Sequence, residues 1–261
     1  MFILKKLWHD LKEHKDLIYY LTLSDLKTNT SRTYLGFLWW VLDPVLYMLV
    51  FYLLVQVILQ RGGEGYAVFL FVALIPLKWT TSCLVDGTRA IVSHQKIIQQ
   101  VYVPKIVFIL SSLLVNTLKF VIGSVVLFLF IWIYGVNLST HAVYYVAIAF
   151  VQFVLLLGGM IILAHLGVYV RDVRNAMQYV ARMLFFLSPV LYTMKDVPQA
   201  VAPYLYLNPM TSLIVSYRNI LLEQEVPLWD HLLVILFAAV VLLYVSLKLL
   251  FKYEKEYAKV I

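Results

Sequence analysis

The length of its apolar blocks constrains this chain more than any other feature. Six segments, residues 34–59, 66–85, 106–134, 142–170, 173–192 and 228–251, run almost uninterrupted by charge. Each is long enough to cross a ~30 Å hydrocarbon layer as a helix rising about 1.5 Å per residue. A water-soluble fold would have to hide all six in one core, and the strands of a membrane barrel would alternate where these blocks are continuous. Charged residues make up only 13% of the 261-residue chain, whereas soluble domains run near ~25%. The expected class is therefore an all-α integral membrane protein with six transmembrane helices. The one cysteine, Cys83, excludes an internal disulfide or a cysteine-rich metal site. The first thirty residues are charged and hold no signal-peptide core.

Residues 1–33 read as a cytoplasmic amphipathic region and 34–261 as the transmembrane domain. In the first helix, Ile3, Leu4, Leu7, Trp8 and Leu11 share one face, and Lys5, Lys6, His9, Asp10, Lys12 and Glu13 share the other. This is the pattern of a helix lying on the membrane surface. The apolar stretch 197–222 is broken by Pro198, Pro203 and Pro209. It fits a re-entrant helical pair that dips in from the outer side before the last span and returns, with protein satisfying the backbone of its turn.

The distribution of charge favours that topology. With both termini in the cytoplasm, sixteen Lys and Arg fall inside and only three outside (Arg61, Lys195 and Arg218), a strong positive-inside bias. A seventh full span would move the four C-terminal lysines outside. The chain carries no phosphate loop, no H-E-x-x-H or Cys/His metal pattern and no G-x-S-x-G elbow. It is not expected to be an enzyme or to bind a metal or nucleic acid, and energy for uphill movement must come from a partner or an ion gradient.

A series of landmarks resembles one family. The run Asp25-Leu26-Lys27, then Tyr34-Leu35-Gly36-Phe37-Leu38-Trp39-Trp40-Val41-Leu42-Asp43-Pro44, is followed by Val103-Pro104 and Tyr169-Val170-Arg171-Asp172-Val173. Next come Ser188-Pro189-Val190-Leu191-Tyr192, Asp196-Val197-Pro198, Leu207-Asn208-Pro209 and Tyr217-Arg218. In order and spacing, over nearly the whole chain, they resemble the type-2 ABC export permeases for polysaccharides and polyol phosphates. Leu23-Ser24-Asp25-Leu26-Lys27 and the stretch from Arg182 to Tyr192 look most like the wall teichoic acid translocation permeases. Relatives exporting O-antigen or capsule share most of the same landmarks. The chain departs from the family pattern at Gln99-Gln100, where a basic residue often precedes the aromatic-x-Pro.

The resemblance implies the permease half of an exporter, in which two copies form the pathway and two copies of a separate ATPase subunit bind ATP and Mg beneath it. The expected cargo is a lipid-linked anionic cell-envelope polymer, with wall teichoic acid foremost. O-antigen or capsular polysaccharide is the alternative, then a drug or small-lipid exporter. An ion-coupled secondary transporter is disfavoured, since Asp43 is the one mid-span acid. For ATPase coupling the expected residues are His94, Gln95, Lys96 and Gln99, on a short amphipathic helix within the cytoplasmic segment 86–105, together with Lys5 and Lys12. Phe37, Trp40, Lys119, Phe185 and Tyr192 are candidates to line the substrate path. Lys119, thirteen residues into its block and so about 20 Å deep, reads equally as a contact for an anionic cargo or as a partner for a neighbouring helix. Lys78 and Asp43 are expected near the outer interface or in helix pairing, Asp43 and Pro44 in a structural or gating role, and Arg171 and Asp172 in an ion pair or cap at a helix junction. Asn208 and Pro209 are expected to shape the re-entrant turn, and Arg218 to anchor it or meet the cargo. Tyr66, Trp132, Tyr134, Tyr144, Tyr145 and Trp229, near block ends, read as interfacial belts.

Overall fold

The computed structural model of the chain describes residues 2–31, 33–60, 62–63 and 65–260. Arg32 and Arg61, which entered the charge count, lie outside the described residues, as do the side chains of Ile3 and Leu4. All regular elements among the described residues are helical. The order is α1 (Phe2–Glu13), α2 (Lys15–Ser31), a 3-10 turn into α3 (Trp39–Tyr52), a π-helical continuation Leu53–Ile58, then α4 (Tyr66–Gly87). There follow α5 (Gln95–Gln100), α6 (Lys105–Ile133), α7 (Tyr145–Tyr169), α8 (Val173–Leu187), α9 (Ala202–Leu205), α10 (Pro209–Arg218) and α11 (Trp229–Val260).

Five of these helical segments are long and apolar enough to cross a membrane: Gly36–Ile58, Tyr66–Gly87, Lys105–Ile133, Thr140–Tyr169 and Trp229–Tyr257. The expected block 173–192 is not one continuous helix, because α8 ends at Leu187. Ser188 takes an extended conformation (φ −104°, ψ 150°), as steric conflict with the following Pro189 demands.

At the centre stands α4, buried from Tyr66 through Leu77 except at the half-buried Phe69, with α3, α6, α7, α8 and α10 packed around it. Pro76 removes one N–H from its hydrogen-bond ladder at mid-length, and a neighbouring helix adds side-chain bonds at the same level. Gln152 of α7, fully buried, donates to the Pro76 carbonyl at 2.9 Å and to Thr80 Oγ1 at 2.9 Å, and accepts from the Tyr217 hydroxyl at 3.2 Å. A buried polar group in an apolar helix is retained where it finds such partners.

The largest helix contact is between α7 and α11, and the two run parallel. At one end Tyr144 meets Trp229 ring to ring at 5.2 Å. At the other, His165 Nδ1 lies 2.7 Å from the Tyr257 hydroxyl. The chain between them, residues 170–228, therefore has to travel back along the bundle. Tyr66, at the opposite end of α4 from Gly87, donates to the Leu191 carbonyl at 3.1 Å, so the path has covered that distance by residue 191. From there α10 runs antiparallel to α4, with Met210 against Thr80 and the Arg218 guanidinium over the Phe69 ring.

The helices are not flush at the end where α4 finishes. Asn116 of α6 donates to Asp86, in the last turn of α4, at 3.0 Å. The first eleven residues of α6 thus extend about 16 Å past α4. This overhang, with α1, α2, α5 and the last turns of α11, forms a helical platform. Lys119 is only three residues beyond Asn116, one turn from the level where α4 ends. Two aromatic belt assignments also change. Tyr66 and Tyr145 are buried, and Tyr145 shares a hydrogen bond with Ser124 at 2.7 Å and packs on Phe120 and Tyr217. Trp132 and Tyr134 stand exposed, as a belt requires.

Close packing at two crossings depends on glycine. A Cβ at Gly158 would meet the Leu243 backbone nitrogen at 3.1 Å, and one at Gly167 would meet the Thr88 carbonyl oxygen at 1.9 Å. The second obstacle is backbone and cannot swing aside. Gly167→Ala is expected to lower stability by about 3 kcal/mol, the upper range for overpacking, measured as thermal unfolding of purified protein. Gly159→Ala, where nothing lies within 4 Å, should be near neutral.

Candidate functional site

Two grooves flank α3, one on each side. The larger, about 580 Å³, lies between α3, α4 and α8 and is lined by Tyr47, Phe51, Phe185 and Phe186 alongside Thr81, Asp86, Gln178 and Arg182. The smaller, about 340 Å³, lies between α3, α4 and α6 and is lined by Trp39, Trp40, Asn116 and Lys119 among others. Pro44, Lys78 and Ser82 line both. Between the grooves, Lys78 Nζ lies 2.6 Å from Asp43 Oδ2, so one ion pair pins α3 to α4. Met48 of α3 is buried and Val45, Phe51 and Tyr52 pack on the core, while Leu46, Tyr47, Leu49 and Val50 are exposed on its other side.

The candidate path residues divide accordingly. Phe185 is in the larger groove, stacked on Phe51 at 4.6 Å. Trp40 and Lys119 are in the smaller, with the ammonium 5.9 Å from the indole centroid. Phe37, 63% exposed, precedes α3 and lines neither groove. Tyr192 is in the broken segment after α8, where its carbonyl accepts from Arg218 at 3.2 Å.

That segment is held by Arg218, which is only 4% exposed. Its guanidinium donates to the carbonyls of Pro189, Val190 (2.8 Å), Tyr192 (3.2 Å) and Phe69 (3.4 Å), and stacks on the Phe69 ring at 3.4 Å. Of the two roles expected for Arg218, this geometry is the anchoring one. Asn208 caps α10: its Oδ1 accepts from the Met210 amide at 3.0 Å, its Nδ2 donates to Ser188 Oγ at 3.0 Å, and Pro209 opens the helix. Arg171 and Asp172 do not behave as expected. Both are exposed, Asp172 sits at the N-cap of α8 without a side-chain cap bond, and no ion pair joins them among the described residues. The chain there is in a solvated turn, where water competes for both groups.

At the platform, α5 leaves Lys96, Gln99 and Gln100 exposed and turns Ile98 inward, next to the buried Ile91. Lys5 and Lys12 of α1 are likewise exposed. His94 points inward: it stacks on Phe108 at 4.9 Å, donates through Nδ1 to the Ala90 carbonyl (3.1 Å), and faces Asp25 of α2 at 3.8 Å. It joins the α5 segment to α2 and α6 rather than forming an outer surface. Asp10, assigned by periodicity to the solvated face of α1, is buried at 7%. The reason is a neighbour that periodicity does not register. Glu254 of α11 binds Lys6 at 2.7 Å and accepts from the Lys105 amide at 3.4 Å, which draws the Lys6–Asp10 side of α1 inward. Trp8 is left 73% exposed.

Residues 17–222 match the ABC-2 type transporter family. The chain belongs to that family. It is an integral membrane protein. It is similar to the O-antigen export system permease protein RfbA of Myxococcus xanthus, 29% identical over 256 residues covering 97% of this chain and 98% of that protein. It is also similar to RfbA of Klebsiella pneumoniae, 25% identical over 94% of this chain and 95% of that protein. To the polysialic acid transport protein KpsM of Escherichia coli it is 24% identical, over 76% of this chain and 78% of that one.

Sequence reasoning did not find Gln152 or Glu254, whereas Lys78 and Asp43, for which helix pairing was one expectation, do pair with each other. Gln152 carried a signal, as an amide inside an otherwise apolar helix. Glu254 carried none, since its partners are distant in sequence.

Two outcomes follow from this geometry. Arg218→Met is expected to cost more than about 3 kcal/mol, because several buried carbonyls lose a donor together; Arg218→Lys should fall between it and the native chain in thermal unfolding. For His94, burial pulls the pKa down, but the Asp25 carboxylate and the Ala90 carbonyl more than offset it, leaving the pKa above 6.5. The raised pKa means that this contact contributes in full below pH 6.5 and is lost as pH rises through the folded value. Hydrogen exchange in residues 88–104 should therefore quicken as pH rises past that value. Asp25→Asn should move the His94 NMR titration midpoint downward.

Proposed function

We propose that this chain is the membrane-spanning permease subunit of an ATP-driven exporter that carries a lipid-linked envelope polysaccharide of the O-antigen or capsular kind outward. The observation that carries the reading is end-to-end similarity to O-antigen export permeases, over 97% of the chain. These relatives move the conclusion from wall teichoic acid to the polysaccharide alternative, since O-antigen and polysialic acid are the cargoes for which they are named.

In this reading the polypeptide crosses six times. The fifth crossing is α8 with its extended continuation to Leu191, supported by the parallel α7 and α11 and the Tyr66–Leu191 bond. Residues 194–223 form the re-entrant pair on the outer side, capped by Asn208 and clamped by Arg218. Both termini are cytoplasmic, in line with the positive-inside bias. The platform is then the docking surface for an ATPase subunit that binds ATP and Mg, with Lys96, Gln99, Lys5 and Lys12 as its outward contacts and His94 linking α5 to α2. A second copy of the chain faces α3 and α8, so that Phe51, Phe185 and Phe186 line the joint path. Amphipathic aromatic walls let sugar units slide without tight capture.

Ion-coupled transport is disfavoured by the same geometry. The acids lining the grooves, Asp43 and Asp86, are committed to Lys78 and Asn116, which leaves no free carboxylate relay among them.

Deletion of the gene should abolish surface polysaccharide, with lipid-linked polymer accumulating inside, scored by carbohydrate blotting of surface and cytoplasmic fractions. Intact surface polysaccharide with loss of wall phosphate would restore the teichoic acid reading. Lys96→Glu should reduce co-purification of the ATPase and lower export while the permease still reaches the membrane.

A further inference from the structure

One side of α11 changes character along its length. Phe237, Val241, Tyr244 and Val245 are exposed on it, and in the topology proposed above they face lipid. Lys248, Lys252, Lys255 and Lys259 continue that same side, spaced four, three and four residues apart. At about 100° and 1.5 Å per residue they stand within roughly 60° of arc over roughly 16 Å. All four are exposed. The opposite side of these turns, Leu247, Leu250, Glu254 and Tyr257, is buried.

Nothing in the chain balances this ladder. None of the four lysines has an ion pair or hydrogen bond among the described residues, and Lys252 Nζ has only the Tyr253 ring, at 5.2 Å. Of the nearby acids, Glu254 is turned inward to Lys6 and the Lys105 amide. Glu256 is exposed and joins no ion pair among the described residues.

The direction of the side chains selects the partner. Cα–Cβ bonds in a helix tilt toward its N-terminus, which for α11 is the membrane side. The ammonium groups therefore lean back toward the bilayer. Lys248 begins where the lipid-facing apolar side ends, at the headgroup layer. The lean brings even Lys259 to roughly a Debye length from that layer, ~10 Å. A soluble acidic partner would engage the far lysines first, whereas lipid engages the near ones.

We propose that this ladder binds the anionic headgroups of bulk phospholipid in the cytoplasmic leaflet, beside the bundle and away from both grooves. The inference takes the direction of α11 from the permease reading. Nanodiscs present the same lipid on both faces and the assay contains no polymer, so the binding result and the export reading can fail separately.

The test places the full chain in phosphatidylcholine nanodiscs with and without phosphatidylglycerol, reading hydrogen exchange in residues 246–260 and the phosphatidylglycerol retained in native mass spectrometry. Phosphatidylglycerol is expected to slow exchange there, and added salt to reverse the effect. Lys252→Gln should weaken retention about fivefold, the worth of one lysine near an anionic surface, Lys252→Arg should preserve it, and Lys259→Gln should cost less than Lys252→Gln. Equal exchange in the two lipids would overturn the proposal, as would a larger loss from Lys259→Gln than from Lys252→Gln. A soluble polyglutamate peptide that slows exchange as well as phosphatidylglycerol does would also overturn it, in favour of an acidic protein partner. If the lysine variants do not fold, protection of the native chain that salt leaves unchanged overturns it instead.

Discussion

A chain that enters a bilayer has to satisfy its backbone from within, because hydrocarbon offers no donors or acceptors. Continuous helices do this by themselves, and the rest of this structure is arranged around the one place where the helix stops. After Leu187 the polypeptide turns through Ser188 and Pro189, exposing carbonyls that no helical N–H can reach. Arg218 brings a rigid fork of donors to that break from a different helix. Asn208 closes the next turn in the same way, with one oxygen for α10 and an amide for Ser188. The broken segment is therefore as well satisfied as a span, although it has no regular structure.

At the other end, polar contacts gather what sequence separates. Glu254 joins α1 and α6 to α11, and His94 joins the α5 segment to α2. The platform is consequently one assembly, with exposed polar side chains on its outer surface. These joints tie α1 and α5 to α6, α11 and α2.

Much of the fold was legible in the sequence because hydropathy reports burial directly. The five long apolar helices begin and end within a few residues of the expected blocks, and the proline-broken stretch 197–222 does form short helices. What periodicity could not supply was the relative height of the helices. Lys119 was placed from the start of its own block, yet α6 begins well before α4 ends, and only the Asn116–Asp86 contact reveals the offset. Tyr66 and Tyr145 were misplaced for a related reason: a tyrosine at a helix end faces lipid or protein according to its neighbours in space. Asp10 was misplaced because a distant carboxylate, Glu254, recruits Lys6 on the same side of the helix. At the grooves, Trp40, Lys119 and Phe185 were visible as unusual residues in apolar runs, but their division between two cavities required the position of α3.

The overhang of α6 makes that helix a lever. It is a single rod pinned at Asn116, with an arm of about 16 Å on the platform side and about 25 Å on the other. A tilt imposed on the short arm reappears, reversed and enlarged by roughly half, at the far tip near Ile133. Lys119 sits almost at the fulcrum and barely moves. A rotation about Asn116 would thus move the two ends of α6 far more than the wall of the small groove beside Lys119.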